Sequence, residues 1–151
     1  MIRAAGRQDV RFLRDMLRHA YYWRIGQEIE DPVFRYVRSW GRPGDAGLIA
    51  IEDGNPVGAA WYRTFRRDAP GFGFVDDATP ELTIAVVPSR RGRGVGHELM
   101  TALLERARRE GYRAISLSVE KDSPAVKLYE RYGFERVEET PAALVMRASL
   151  N

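Results

Sequence analysis

Between Arg90 and His97 the chain reads Arg-Arg-Gly-Arg-Gly-Val-Gly-His, following the apolar run Leu82 to Val87 and leading into a helical pattern from Gly94 to Glu110. Glycines let successive backbone N–H groups turn to one side without Cβ clashes, and a helix N-terminus adds partial positive charge. The chemistry this order supports is a cradle for phosphate. Arg90, Arg91 and Arg93 would add attraction for a polyanion. The same residues would also serve as a tight strand-to-helix turn with solvated arginines.

Two phosphate-binding designs can be weighed from spacing alone. A P-loop requires lysine and a hydroxyl residue after its last glycine, and His97 follows Gly96, so a Walker-type magnesium site is excluded. A dinucleotide fingerprint finds Gly92, Gly94 and Gly96 after a strand, and Glu120 ends the next strand where a ribose ligand belongs. Its last glycine is replaced by His97, however, and the chain is too short for the usual doubly wound sheet.

Elements around this loop follow from periodicity. Ile2 to Ala4 reads as a strand, and Val10, Leu13, Met16, Leu17 and Ala20 recur at helical spacing. Asp31-Pro32 predicts an N-cap and a second helix through Phe34 and Val37 to Gly41. Leu48 to Ile51 and Val57 to Phe65, separated by Glu-Asp-Gly-Asn-Pro, predict a hairpin. Arg66 to Pro80 is a long loop, and loops of that length tend to carry function. Leu82 to Val87, Gly94 to Glu110 and Ala114 to Val119 form a βαβ unit closed by Gly111. Ser123-Pro124 opens a short helix that stops at Gly133, and Phe134 to Val137 and Leu144 to Met146 close the chain as strands.

Arg91-x-x-Gly94-x-Gly96, directly after Val86-Val87-Pro88, resembles the acyl-CoA pyrophosphate loop of the GNAT superfamily of N-acetyltransferases. A second stretch is similar to that family's later signature, a helix with Ala125, Leu128 and Tyr129 followed by Gly133-Phe134. The resemblance implies an α/β (α+β) GNAT acyltransferase fold in a single domain over residues 1–151. Its central mixed, mostly antiparallel sheet would have about six to seven strands flanked by about four helices.

By the same resemblance, backbone groups of Ile84, Ala85 and Val86 pair with pantetheine amides, and the N–H groups of Gly92, Arg93, Gly94, Val95, Gly96 and His97 hold the pyrophosphate. Arg91 adds a side-chain contact or stays on the surface. Tyr129 would lie by the cofactor sulfur, protonated at neutral pH because phenols titrate at about 10 and thiols at about 8.5. A primary amine must lose a proton before attack, and Glu81, opening the strand of the pantetheine contacts, is the candidate base. A solvated strand-edge glutamate and a Thr79 capping partner are its other readings. Members acetylating protein N-termini can carry glutamate in a stretch like Ser-Leu-Glu-Val, where this chain has Ser118. Asp122 or Ser123 stands where many members place an asparagine on the cofactor. Tyr21, Tyr22, Trp23, Tyr36 and Trp40 divide between core packing and an acceptor pocket, and Glu28, Glu30 and Asp31 between attraction of an ammonium group and a solvated loop.

The chain of 151 residues has no cysteine, which excludes disulfides, zinc–thiolate sites and a cysteinyl intermediate. A net charge of +3 does not argue for nucleic acid, and no apolar run approaches the roughly 18 residues of a membrane span. No signal peptide is read before Asp9, so the expectation is a cytoplasmic protein with no metal. Its partners would be acetyl-CoA and an amine-bearing small molecule or peptide, with a homodimer allowed by the family. A non-catalytic acyl-CoA-binding or sensing module and a protein N-terminal or lysine acetyltransferase are the alternatives.

Overall fold

A computed structural model describes residues 1–21 and 32–151. The strands are β1 (Ile2–Ala4), β2 (Ala46–Glu52), β3 (Asn55–Arg63), β4 (Glu81–Val86), β5 (Ala114–Glu120), β6 (Phe134–Glu139) and β7 (Ala143–Ser149). Among the described residues the α-helices are α1 (Val10–Ala20), α2 (Val95–Arg109) and α3 (Ala125–Arg131). The seven strands hydrogen-bond in the order β1-β2-β3-β4-β5-β7-β6. The chain gathers into two compact units, Met1–Arg63 with Thr83–Glu105, and Thr64–Leu82 with Arg106–Asn151.

In the first unit, Leu13, Met16 and Leu17 are the buried stripe of α1, as the helical spacing predicts. The β2–β3 hairpin closes on two residues, Asp53 and Gly54, with Glu52 opposite Asn55. Their φ values of 53° and 80° are the left-handed pair that matches strand twist in such a turn. Gly58 of β3 lets α2 approach. A Cβ there would lie 3.1 Å from the Ala85 carbonyl oxygen and from Leu99 Cδ1, and 3.3 Å from Val95 Cγ1. This close approach seats the first turn of α2 against its unit's strands.

The expected second helix is corrected. Where described, Pro32–Tyr36 is a 3-10 helix, followed by Ser39 at φ 56° and Gly41 at φ 109°, and Asp31 lies outside the described residues. Val33, Phe34, Tyr36 and Val37 are all buried. Pairs 33/36 and 34/37 repeat every three residues, the spacing at which 3-10 side chains eclipse. The segment is tied down by Arg63, whose Nη1 donates to the carbonyl oxygens of Arg35 (2.9 Å) and Arg38 (2.8 Å). The Nε and Nη2 of Arg63 grip Asp45 at 3.0 and 2.6 Å, while the Asp45 carboxylate also accepts the N–H groups of Gly41 and Arg42. Both side chains are buried, and these bonds offset the desolvation that an isolated pair would suffer.

In the second unit, β5 and β7 pair antiparallel from Ala114↔Ser149 to Glu120↔Ala143, and β6 pairs with the other side of β7. Beyond Phe134 every residue of β6 is exposed, as an edge strand with charged side chains permits. The start of β4 joins β5 in parallel at Glu81↔Ser116. Ser123 Oγ accepts the Ala125 N–H at 3.1 Å at the start of α3, and Gly133, at φ 92°, ends it.

Candidate active site

The loop after β4 holds its shape through glycine. Pro88–Arg90 forms a 3-10 turn, Gly92 and Gly94 adopt φ values of 78° and 87°, and α2 begins at Val95. The Glu98 N–H donates to the Gly94 carbonyl oxygen at 3.0 Å, so the N–H groups of Val95, Gly96 and His97 precede the helix's own bonding pattern. The glycines themselves are uncrowded. A Cβ would meet nothing within 4 Å at Gly92 or Gly94, and at Gly96 only Val86 Cγ2 at 3.8 Å. Gly96 is helical and uncrowded, so the fold itself does not require glycine there. A group approaching the helix N-terminus would.

The arginines divide their tasks. Arg91 Nε donates to the Val86 carbonyl oxygen at 3.1 Å, and Arg90 pairs with Glu52 at 3.1 Å. Arg93 and His97 are exposed at the rim, whereas the Val95 side chain is buried and leaves only its backbone for a ligand. On β4, Ile84 and Val86 are half-buried and Ala85 is buried.

In the other unit, Glu81 is not the solvated strand-edge glutamate. It is 1% exposed, and its Oε2 accepts the Gly73 N–H at 3.0 Å. Ser116, opposite it on β5, donates from Oγ to the Gly73 carbonyl oxygen at 2.8 Å. Ser118 Oγ is buried with no hydrogen-bond partner among the described residues. Tyr129 is half-buried on α3 and meets Phe134 edge-on, with ring centroids 6.0 Å apart. Desolvation pushes its phenol up to about 12. Asp122 is exposed, and Ser123 Oγ is engaged by the Ala125 N–H.

Because its folded pKa is raised, Tyr129 keeps its proton through the range where an ordinary phenol loses it. Turnover is therefore expected to show no falling limb from this group between about pH 9 and pH 11. A rate profile from steady-state thiol release checks this, and a falling limb centred near about pH 10 that disappears in Tyr129→Phe would mean that the phenol is not shifted.

Of the N-terminal aromatics, Tyr21 stacks on Tyr36 at 5.1 Å and Trp40 lies under the Arg63 guanidinium at 5.3 Å, both as core packing. Tyr22, Trp23, Glu28, Glu30 and Asp31 lie outside the described residues. Sequence reasoning missed Gly73 and Ser116. The only available signal was a glycine between two phenylalanines in a long loop.

The model of the Acetyltransferase (GNAT) family matches residues 10–134. The chain belongs to the GNAT acetyltransferase family. This GNAT chain is 39% identical over 90 residues to a mycothiol acetyltransferase of Brachybacterium faecium, covering 58% of this chain and 25% of that protein. It is 35% identical over 96 residues to an L-methionine sulfoximine/L-methionine sulfone acetyltransferase of Pseudomonas aeruginosa, covering 62% of this chain and 53% of that one. The chain thus spans between a quarter and about half the length of these curated relatives. A phosphinothricin acetyltransferase from Sinorhizobium meliloti, solved in complex with AcCoA, shares the fold. Its TM-score is 0.74 at 21% identity, over 100% of this GNAT chain and 88% of that one. Among the described residues no cluster of His, Asp and Glu could hold a metal ion, and no helix is long and apolar enough to cross a membrane.

Proposed function

We propose that this GNAT chain transfers an acetyl group from acetyl-CoA to a primary amine by direct attack in a ternary complex. The observation that carries the reading is the glycine-lined turn from β4 into α2, where a Cβ at Gly92 or Gly94 would meet nothing within 4 Å and one at Gly96 only Val86 Cγ2. The pyrophosphate would sit on the N–H groups from Gly92 to His97, with Arg91 and Arg93 adding charge. The registered pair between β4 and β5 lies at Glu81, ahead of Ile84, Ala85 and Val86, which supports those three offering backbone groups to pantetheine. Asp122 is the remaining candidate contact. The family match runs through both units, which supports treating residues 1–151 as one domain.

In the reaction a nitrogen–carbon bond forms, the carbon–sulfur bond breaks, and the proton leaving the amine goes to Glu81, directly or through water. Tyr129 donates a hydrogen bond to the departing thiolate. With its pKa at about 12 it holds its proton more tightly than a thiol near 8.5 can take it, so its role is stabilisation of charge. The names of the curated relatives support a small-molecule acceptor, and Ser118 in place of a glutamate agrees. A cytoplasmic location suits the supply of acetyl-CoA, and a homodimer belongs to the same reading.

The test is calorimetric titration with acetyl-CoA, coenzyme A and NAD, followed by thiol release across amino acids, polyamines, aminoglycosides and short peptides. Binding of the two coenzyme A species with amine-dependent release is expected. Binding without release under every amine would favour the acyl-CoA-sensing module, and competition by NAD would return the loop to a dinucleotide fold.

A further inference from the structure

The loop from Arg66 to Pro80 is fastened to its own unit through the peptide of Gly73. The N–H of Gly73 donates to Glu81 Oε2 at 3.0 Å, and its carbonyl oxygen accepts from Ser116 Oγ at 2.8 Å. Glu81 and Ser116 are register partners on adjacent strands, so their side chains leave one face of the sheet side by side, and the Gly73 peptide bridges them. Both hydrogen bonds are buried. The peptide also lies flat on β5. A Cβ on Gly73 would stand 2.7 Å from the Leu117 carbonyl carbon and 2.9 Å from the Leu117 oxygen and the Ser118 nitrogen. These are backbone atoms and cannot swing aside, so only glycine allows the approach.

We propose that Gly73 and Ser116 are positioning residues for Glu81. Ser116 and the β5 backbone hold the Gly73 peptide in place, and its N–H fixes the orientation of the carboxylate that takes the amine proton. The inference rests on the reading of Glu81 as the base. A glutamate side chain free to rotate would have to be ordered at each turnover, and displacement of a reacting group by about 1 Å can lower a rate about a hundredfold. The latch does that ordering in advance. It also gives the long loop a task near the chemistry that does not require it to move.

Ser116→Ala removes one donor without adding volume, so it tests the latch with little risk to folding. In the full chain, with the amine that releases thiol fastest in the panel above, kcat is expected to fall about tenfold. KM for acetyl-CoA should stay at its wild-type value, and the melting temperature should fall by only a few degrees, about what an unpaired buried carbonyl costs. Glu81→Gln should lower kcat about a hundredfold or more, and adding Ser116→Ala to it should cost nothing further, since Ser116 acts only through the carboxylate. Independently of turnover, the Gly73 amide should exchange slowly in proton NMR, and at least about tenfold faster in Ser116→Ala.

Wild-type turnover in Glu81→Gln would overturn both the base and its positioning. A crippled Glu81→Gln beside an unaffected Ser116→Ala would overturn the positioning alone. So would a Ser116→Ala whose melting temperature falls while kcat stays, or a double variant showing the two losses multiplied.

Discussion

Gly96→Glu is expected to abolish acetyl-CoA binding, with Kd rising about a thousandfold or more, while the protein stays folded. The space above Gly96 is bounded only by Val86 Cγ2 at 3.8 Å, so a side chain there can be accommodated by the protein but not by protein and ligand together. A carboxylate in the first turn of α2 favours the helix, since it faces the positive end of the dipole. The same carboxylate meets the pyrophosphate as a like charge. At about 4 to 5 Å and an effective dielectric near 20 the repulsion is about 3 to 4 kcal/mol, close to the whole expected loss. Gly96→Ala makes the complementary case. It should stabilise the helix by about 0.5 to 1 kcal/mol and still weaken binding, because the cost falls on the ligand. Calorimetry paired with thermal melts separates the two effects. Wild-type affinity in Gly96→Glu would mean that the glycines form a turn and nothing more.

The second large effect is expected at Tyr129. Tyr129→Phe keeps the ring that meets Phe134 edge-on and removes only the hydroxyl, so acetyl-CoA affinity should be unchanged while kcat falls about a hundredfold. Loss of one preorganised donor at a site of developing charge has about this magnitude. Desolvation holds the phenol at about 12, which limits it to donating a hydrogen bond and places the effect toward the lower end of acid catalysis. Pre-steady-state thiol release with saturating acetyl-CoA measures the step directly. A weakened Kd with normal turnover would instead make Tyr129 part of the binding surface.

How far these residues could be read in advance depends on how local their signals are. The strand, glycine turn and helix proposed as the cradle were legible because they follow one another in sequence, and the positive φ of Gly92 and Gly94 is a demand of those residues themselves. The hairpin was legible from Asp53-Gly54 for the same reason. The segment after Pro32 was misread because burial of Val33, Phe34, Tyr36 and Val37 suits a three-residue repeat as well as a helical stripe. Its anchor, Arg63, lies on a strand some 25 residues further on. Glu81 was visible as a carboxylate at a strand start, but not as a buried one. Its burial depends on Gly73, and nothing in the loop marks the absent side chain as the means of contact with β5. Ser116 read as an ordinary strand serine for the same reason, since its partner is 43 residues away.

The place of β7 bears on the order in which the chain can assemble. The hairpin of β2 and β3 joins neighbours in sequence and can form as soon as both have been synthesised. In contrast, β5 and β6 are held together by a strand that follows both, Ala143–Ser149, with Leu144 and Met146 fully buried. A chain halted on the ribosome before Ala143 would carry β5 and β6 with open edges, exposed to proteases and to pairing with other nascent chains. The unit that houses Glu81 and Tyr129 is thus completed only once Ala143–Ser149 has been made, when that strand enters between two that precede it in the chain.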